Sequence, residues 1–434
     1  MIKLYPVTLG CDKNRVDTER ILAEAVKHGV ELTDTVEEAD AALVNTCAFI
    51  DSAKKESIDV ILELASYKEK NLKYLIVTGC FSERYAKEMR EMFPEVDAFC
   101  GINGAQHIGE MLDKISDKPE FVGEKPLPET EGRILSTPPH YAYLKIADGC
   151  DNWCSYCAIP RIRGRYRSVP FEKVLREAET IAENGVSELI VVAQDTTAYG
   201  KDLYGKVRIV ELLRALTELS FKKIRLLYAY PEGVTDELID FIASSPKMAK
   251  YIDMPIQHVS DGVLKAMRRR VTGAEIKEII RKLRAANPDI AIRSSFIAGF
   301  PGETEEDFNE LLDFIKEGNI DYAGFFAFSR EEGTLAYKMP NQITAKVKKQ
   351  RVLALEKAES SVISEMHDRL VGKVVSITYE GLDEKKMRFY GRMDGQAPEV
   401  DGKVYISSKE VLEVGRTYDV LIEKGGFYPE GKTV

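Results

Sequence analysis

Three cysteines stand at C-x3-C-x2-C spacing in Asp148-Gly149-Cys150-Asp151-Asn152-Trp153-Cys154-Ser155-Tyr156-Cys157. Three thiolates on so short a loop can wrap a cubane iron–sulfur cluster and leave its fourth iron without a protein ligand. Such an iron can bind a substrate or a cofactor. The plainer alternative is a structural zinc loop, which normally needs a fourth Cys or His. His140 is the closest histidine in sequence, and it is not adjacent.

A second set of thiols is dispersed. Cys11 lies in Thr8-Leu9-Gly10-Cys11, Cys47 in Asn45-Thr46-Cys47 and Cys80 in Thr78-Gly79-Cys80. Each directly follows a β-rich run. In a parallel sheet those strand ends share one edge, so residues far apart in sequence converge there. This is a second candidate metal–sulfur site. The alternative is three unrelated buried thiols, since free Cys is commonly buried. Cys100, in Phe99-Cys100-Gly101, also follows a strand and is expected to be structural.

The elements that must position these cysteines are α/β units. Lys3–Thr8, Ala42–Asn45, Tyr74–Thr78 and Asp97–Phe99 alternate with helical spacing over Val16–Lys27, Ser52–Ser66 and Ser82–Met92. That alternation predicts an N-terminal parallel sheet over 1–116. Residues 117–139 form a linker, marked by Pro119, Pro126, Pro128, Pro138 and Pro139.

From 140 to 343 six further strand–helix units predict a partial (β/α)6 barrel of the TIM type, beginning at Ala142–Ile146. Its other strands are Glu188–Val192, Ile224–Leu227, Tyr251–Asp253, Ile292–Ile297 and Ala323–Phe326. A polar helix connects at 344–369. Residues 370–434 carry short strands between Gly-bearing turns, which predicts a small antiparallel β-barrel. The fold class is therefore α/β and multidomain.

The chain has 434 residues, enough for about two to four domains. It has no run of about 18 apolar residues and no apolar leader after Met1, so a cytoplasmic protein without a membrane span is expected. In a reducing compartment its seven cysteines are metal ligands or catalytic thiols rather than a disulfide framework. The net charge of −10 excludes a strongly basic nucleic-acid-coating protein and favours a basic partner.

The C-x3-C-x2-C loop on an α/β domain resembles the radical S-adenosylmethionine enzymes. The N-terminal Cys triad and the C-terminal barrel, similar to a TRAM domain, resemble the methylthiotransferases of that superfamily. Val7-Thr8-Leu9-Gly10-Cys11-Asp12-Lys13-Asn14-Arg15-Val16-Asp17-Thr18-Glu19 resembles the RimO branch, as does Ala147–Gly164 with the cluster loop inside it. That branch modifies an aspartate of the twelfth small-subunit ribosomal protein. The tRNA-modifying branch usually starts Tyr-Gly-Cys-Gln-Met-Asn, which this chain lacks. The likeness spans essentially the whole chain, and no family cysteine is expected at Cys100.

The resemblance implies two [4Fe–4S] clusters, one on Cys150, Cys154 and Cys157 and one on Cys11, Cys47 and Cys80. It implies two S-adenosylmethionine molecules per C–H to C–S–CH3 conversion, one cleaved to a 5′-deoxyadenosyl radical and one giving the methyl group. That radical removes a hydrogen that no side-chain base could take at neutral pH. The product would be β-methylthio-aspartate. The implied partners are the ribosomal protein, free or in the ribosome, a low-potential electron donor such as a flavodoxin, and a sulfur donor. Nothing in the sequence forces an oligomer, and a monomer is expected.

Barrel strand ends supply the candidate cofactor contacts. Gln194 and Asp195 follow one strand. Arg293, on another, is expected to pair with the cofactor carboxylate, and Gly299 to admit its ribose or adenine. Trp153 and Tyr156 are placed to shield the cluster or stack on adenine, with loop packing as the alternative. His258 is equally well a satisfied structural histidine. Glu303 and Thr304 would otherwise simply begin the helix Glu305–Lys316. The run Arg161, Arg163, Arg165, Arg167 faces an anionic substrate or pairs with nearby acids.

Two other functions remain open at this level. One is a tRNA-adenosine methylthiotransferase of the same chemistry. The other is a non-enzymatic iron–sulfur protein that binds RNA or the ribosome. Residues 370–434 hold ten Lys and Arg against eleven Asp and Glu, a poor match for a phosphate surface and a better one for a basic protein.

Overall fold

The computed structural model describes residues 2–123 and 132–434. The part of the expected linker that contains Pro126 and Pro128 lies outside the described residues.

Strands β1 (Ile2–Thr8), β2 (Val30–Leu32), β3 (Ala41–Thr46), β4 (Tyr74–Gly79), β5 (Ala98–Cys100) and β6 (Glu120–Phe121) form one parallel sheet in the order β2-β1-β3-β4-β5-β6. β3 is buried along its whole length, as a strand covered on both faces must be. Short β2 was not expected from sequence, and β6 falls where the linker was expected, because two- and three-residue edge strands carry too little pattern to detect. The helix expected over Ser82–Met92 is broken: α-turns at Cys80–Arg84 and Met89–Met92 flank a bend.

The central region starts at β7 (Tyr141–Lys145). β8 (Ala147–Asp148) and β9 (Arg167–Ser168) pair antiparallel and bracket the Cys150 loop. The remaining strands are β10 (Glu188–Val192), β11 (Lys223–Leu226), β12 (Tyr251–Asp253), β13 (Ala291–Ala298) and β14 (Tyr322–Ala327). They form two parallel ribbons, β7-β10-β11 and β12-β13-β14, linked by a bridge from Ile224 to Met248. This is the expected open six-stranded barrel. Leu144, Leu189 and Leu226 turn outward under the helices and are fully buried, each side chain worth about 2 kcal/mol. Tyr141, Tyr143, Ile190, Tyr251 and Tyr322 pack on the inside.

After the helix Ala345–Asp368, capped by the Thr344 side chain, the chain closes a five-stranded barrel. Its strands are β15 (Val374–Asp383), β16 (Arg388–Met393), β17 (Val404–Ser407), β18 (Thr417–Lys424) and β19 (Glu430–Thr433). Four of its pairings are antiparallel, and β17–β19 is parallel.

The β16–β17 loop does not stay on the surface. Ala397 joins the tyrosines inside the central barrel, and buried Asp401 accepts from the Tyr251 hydroxyl at 2.6 Å. Glu188 holds Arg225 at 2.8 Å and also Arg392 of β16, two cations that keep its carboxyl well below its ordinary range despite burial. No helix among the described residues is long and apolar enough to cross a membrane.

Candidate active site between the two cysteine triads

Cys11 is the N-cap of α1 (Asp12–Lys27), Cys47 follows β3, and Cys80 opens the short turn after β4. The strand register brings all three to one sheet edge, close enough that each thiol affects the charge of the next. Gly10 has φ 90°, and a Cβ there would sit 2.6 Å from the Cys47 Cβ. Only glycine permits that approach. Asn14 ties the group together: its amide donates to the carbonyls of Leu9 at 3.0 Å and Thr46 at 2.9 Å, and Cys80 Sγ lies 3.8 Å from its Oδ1. Cys100 is apart. It is fully buried in the cluster with Ile21, Leu22 and Ile108, and its thiol donates to Asn103 at 3.3 Å.

The Cys150 loop is pinned along its length. Cys150 N–H donates to Gly164 O at 3.2 Å, Ser155 N–H to Met267 O at 3.0 Å, and Asn152 Nδ2 to Asp195 at 2.8 Å. The pinning holds Trp153 at φ 50°, a conformation that a bulky residue adopts only under constraint. Cys154 Sγ meets the Tyr230 hydroxyl at 2.6 Å.

Among the described residues no three His, Cys, Asp or Glu side chains converge tightly enough for one metal ion. A four-iron cluster has different needs, because its thiolates stand on separate corners. Both triads offer that donor chemistry. Burial and neighbouring thiols push Cys47 and Cys150 each up to about 12. Cys80 and Cys157 are raised for the same reasons, burial first. To ligate, these thiols would have to ionise, and the positive charge of a cluster core would supply the counter-charge that burial withholds.

The other sequence candidates divide. Gln194 donates to Asp148 at 3.1 Å while its own carbonyl oxygen is buried without a partner. Asp195 is spent on structure: it caps Thr196–Ala198 and anchors Asn152. Two nitrogens of Arg293 are already taken by acids, Asp253 at 2.9 Å and Asp401 of the C-terminal barrel at 3.1 Å. Gly299 is required by its φ of 76° and by Lys348, whose Cγ would lie 2.4 Å from a Cβ. Those contacts alone require glycine at this position.

Thr304 forms a capping box with Asp307. Glu303 closes its own loop by accepting from Gly299 and Phe300 N–H. His258 is buried and neutral, pushed down to about 4 by desolvation. Trp153 is 45% exposed, while Tyr156 packs near Phe300 and Met267. The arginine run is mostly paired: Arg163 is buried against Asp148 and Asp17, and Arg165 holds Asp151.

Several residues escaped the sequence reading. Arg269 covers the Tyr230 ring at 3.8 Å, and Lys145 pairs with Asp17 and Asp148. Arg167 and Arg269 both keep buried N–H groups without partners. Tyr228 and Tyr230 sit in Tyr228-Ala229-Tyr230-Pro231, directly after a barrel strand, which was the available signal.

Residues 3–101 match the uncharacterized protein family UPF0004, 144–315 the radical SAM superfamily and 371–428 the TRAM domain. The ribosomal protein uS12 methylthiotransferase RimO of Clostridium acetobutylicum is 45% identical over 427 residues, covering 97% of this chain and 95% of its own. The protein of that name from Geobacter sulfurreducens is 46% identical over 414 residues, covering 94% and 93%.

Among solved structures, the radical S-adenosylmethionine methyltransferase TsrM of Kitasatospora setae aligns with TM-score 0.57 at 14% identity, covering 75% of this chain and 73% of that one. The cobalamin-dependent radical enzyme OxsB aligns with TM-score 0.52 at 14% identity, covering 82% and 56%. At that identity the likeness shows the fold alone. Superfamily membership implies a [4Fe–4S] cluster and S-adenosylmethionine. By the full-length relatives and the domain matches together, the chain belongs to the RimO family of radical S-adenosylmethionine methylthiotransferases.

Proposed function

We propose that this enzyme places a methylthio group on the β-carbon of an aspartate in ribosomal protein uS12, giving β-methylthio-aspartate. One observation carries the reading: two cysteine triads face a common domain boundary, bridged by buried Arg163. The relatives named for uS12 supply the substrate. Cys150, Cys154 and Cys157 hold the cluster that the superfamily requires, and Cys11, Cys47 and Cys80 hold a second.

When bound, these groups and S-adenosylmethionine supply the one-electron cleavage, the sulfur and the methyl group for a C–H to C–S–CH3 conversion. The chain's own residues do the positioning. Asn152 and Tyr230 fix the Cys150 loop, and Asn14 fixes the Cys11 loop. The spare donors of Arg167 and Arg269 suit the carboxylate of S-adenosylmethionine better than Arg293, which Asp253 and Asp401 already engage. An external low-potential donor, such as a flavodoxin, supplies electrons and a separate donor supplies sulfur. The setting is the cytoplasm and the active unit a single chain.

The test is reconstituted enzyme offered purified uS12 and bulk tRNA in parallel. Methylthiolation of an aspartyl residue, and none of tRNA adenosine, is expected. The reverse pattern refutes the assignment.

A further inference from the structure

We infer that Lys13 is the residue that reads the target's carboxylate, its ammonium serving as counter-charge to the substrate aspartate beside Cys11. The inference rests on the reading just given, that the substrate is an aspartate side chain.

Lys13 lies in the first turn of α1, two residues after Cys11. Its side chain and that of Asp12 are each only 8% exposed. Lysine is rarely so buried unless it is paired. An ammonium carries three N–H donors. The partners of this one are a single carboxylate oxygen, Asp12 Oδ1 at 3.2 Å, and the face of Tyr228 at 3.2 Å. Donor capacity is left over. The neighbouring cations differ. Lys145 and Arg163 each hold both Asp17 and Asp148. Arg15, the other cation beside Cys11, is gripped by both oxygens of Glu399 at 3.1 and 3.3 Å.

Asp12 shows the complementary shortage. Its Oδ1 takes the Tyr228 hydroxyl at 3.0 Å, but its Oδ2 is buried with no partner. A buried unmet acceptor is costly, and one in a native fold calls for an explanation. A spare donor and a spare acceptor thus stand side by side. An aspartyl residue of a polypeptide supplies the matching pair: a carboxylate for Lys13 and a backbone N–H for Asp12. A cavity of about 290 Å³ opens next to Cys11 and is lined by Asp12, Arg15, Ser136 and Glu399; Lys13 adjoins it through Asp12 and is not itself part of the lining.

The location suits the chemistry. Tyr228 is held at φ 59° by its N–H to Asp253 at 3.0 Å and by Thr196 on its carbonyl. Two residues on, Tyr230 touches Cys154. One short loop therefore carries the ring under Lys13 and the hydroxyl on the other triad. The β-carbon of aspartate is bonded directly to its carboxylate carbon. A carboxylate fixed at Lys13 leaves the reacting carbon one bond away, between the two triads.

The test measures affinity rather than turnover. Holoenzyme is titrated with a labelled uS12 peptide that carries either aspartate or asparagine at the target position. The parent should prefer aspartate by at least about tenfold, since asparagine has the same shape without the charge. In Lys13→Met and Lys13→Gln the two peptides should bind within about twofold of each other, and Lys13→Arg should restore the preference.

An unaltered preference in Lys13→Met or Lys13→Gln overturns the proposal, as does a parent without preference. So does loss of the preference in Arg15→Gln with Lys13→Met unaffected. A parent that methylthiolates tRNA and not the peptide would instead remove the underlying reading.

Discussion

Arg163 and Asn14 meet at 2.6 Å across the boundary between the N-terminal sheet and the central barrel. Arg163 is 2% exposed and also donates to both oxygens of Asp148 at 3.1 Å, while Asn14 Oδ1 lies 3.8 Å from Cys80 Sγ. Asp148 stands just before the Cys150 loop. One guanidinium therefore sets the relative placement of the two triads.

Removing that guanidinium while leaving its acids should be severe. Arg163→Met leaves buried Asp148 and Asp17 with Lys145 as their one remaining cation, at a cost of about 2–3 kcal/mol. Arg163→Lys should recover only part, because a single ammonium cannot reach Asn14 and both Asp148 oxygens together. Differential scanning fluorimetry of the three proteins checks the order: parent, then Lys, then Met. Equal melting temperatures would show that the network does not hold the boundary.

The C-terminal barrel is expected to be structural as well as substrate-facing. Its β16–β17 loop places Ala397 among the barrel tyrosines and Asp401 against Arg293 and Tyr251. A chain ending at Arg369 uncovers that interior and leaves Glu188 without Arg392. It should be poorly soluble or melt at least about 10 °C lower. A truncated chain that melts with the parent would mean the loop contributes nothing to the barrel.

Glu359 supplies a pH-dependent contribution. Burial pushes its carboxyl up to about 7, against an ordinary value near 4.5, although Ala323 N–H donates to it. The folded chain then holds a proton that the unfolded chain has released between those values. The stabilisation is complete below about 4.5 and lost as pH rises through about 7. Glu359→Gln keeps the acceptor for Ala323 without the charge. It should stabilise by about 2 kcal/mol at pH 8 and by almost nothing at pH 4. Thermal melts at the two pH values check this, and equal effects at both would contradict it.

The triads should load separately. Chemical analysis of anaerobically purified protein should find about eight irons per chain, falling to about four when Cys150, Cys154 and Cys157 are all replaced by Ala. About four irons in both proteins would rule out a cluster on each triad.

Much of this was legible in the sequence because the chemistry sits at strand ends. The rule that α/β sites lie beyond the carboxyl ends of strands located both triads and the candidate loop after β10. What stayed hidden depends on long-range pairing. Nothing local marks Arg163 as buried rather than part of a solvated basic run, because Asn14 is 149 residues away. The pairing of Arg293 with Asp401 was hidden because Asp401 lies 108 residues away in the C-terminal barrel. The close approach of Lys348 to Gly299 was hidden because Lys348 is on a helix that comes later in the chain. The short edge strands β2 and β6 were missed because the sheet, not their own composition, makes them strands.

The central claim is that the methylthio group goes onto a protein aspartate. Mass spectrometry of uS12 and of tRNA, from cells with and without this gene, tests it most directly. The account predicts a methylthio mass shift on an aspartyl residue of uS12 that disappears with the gene, while methylthiolated adenosine in tRNA is unchanged. A shift that disappears from tRNA and not from uS12 would contradict it.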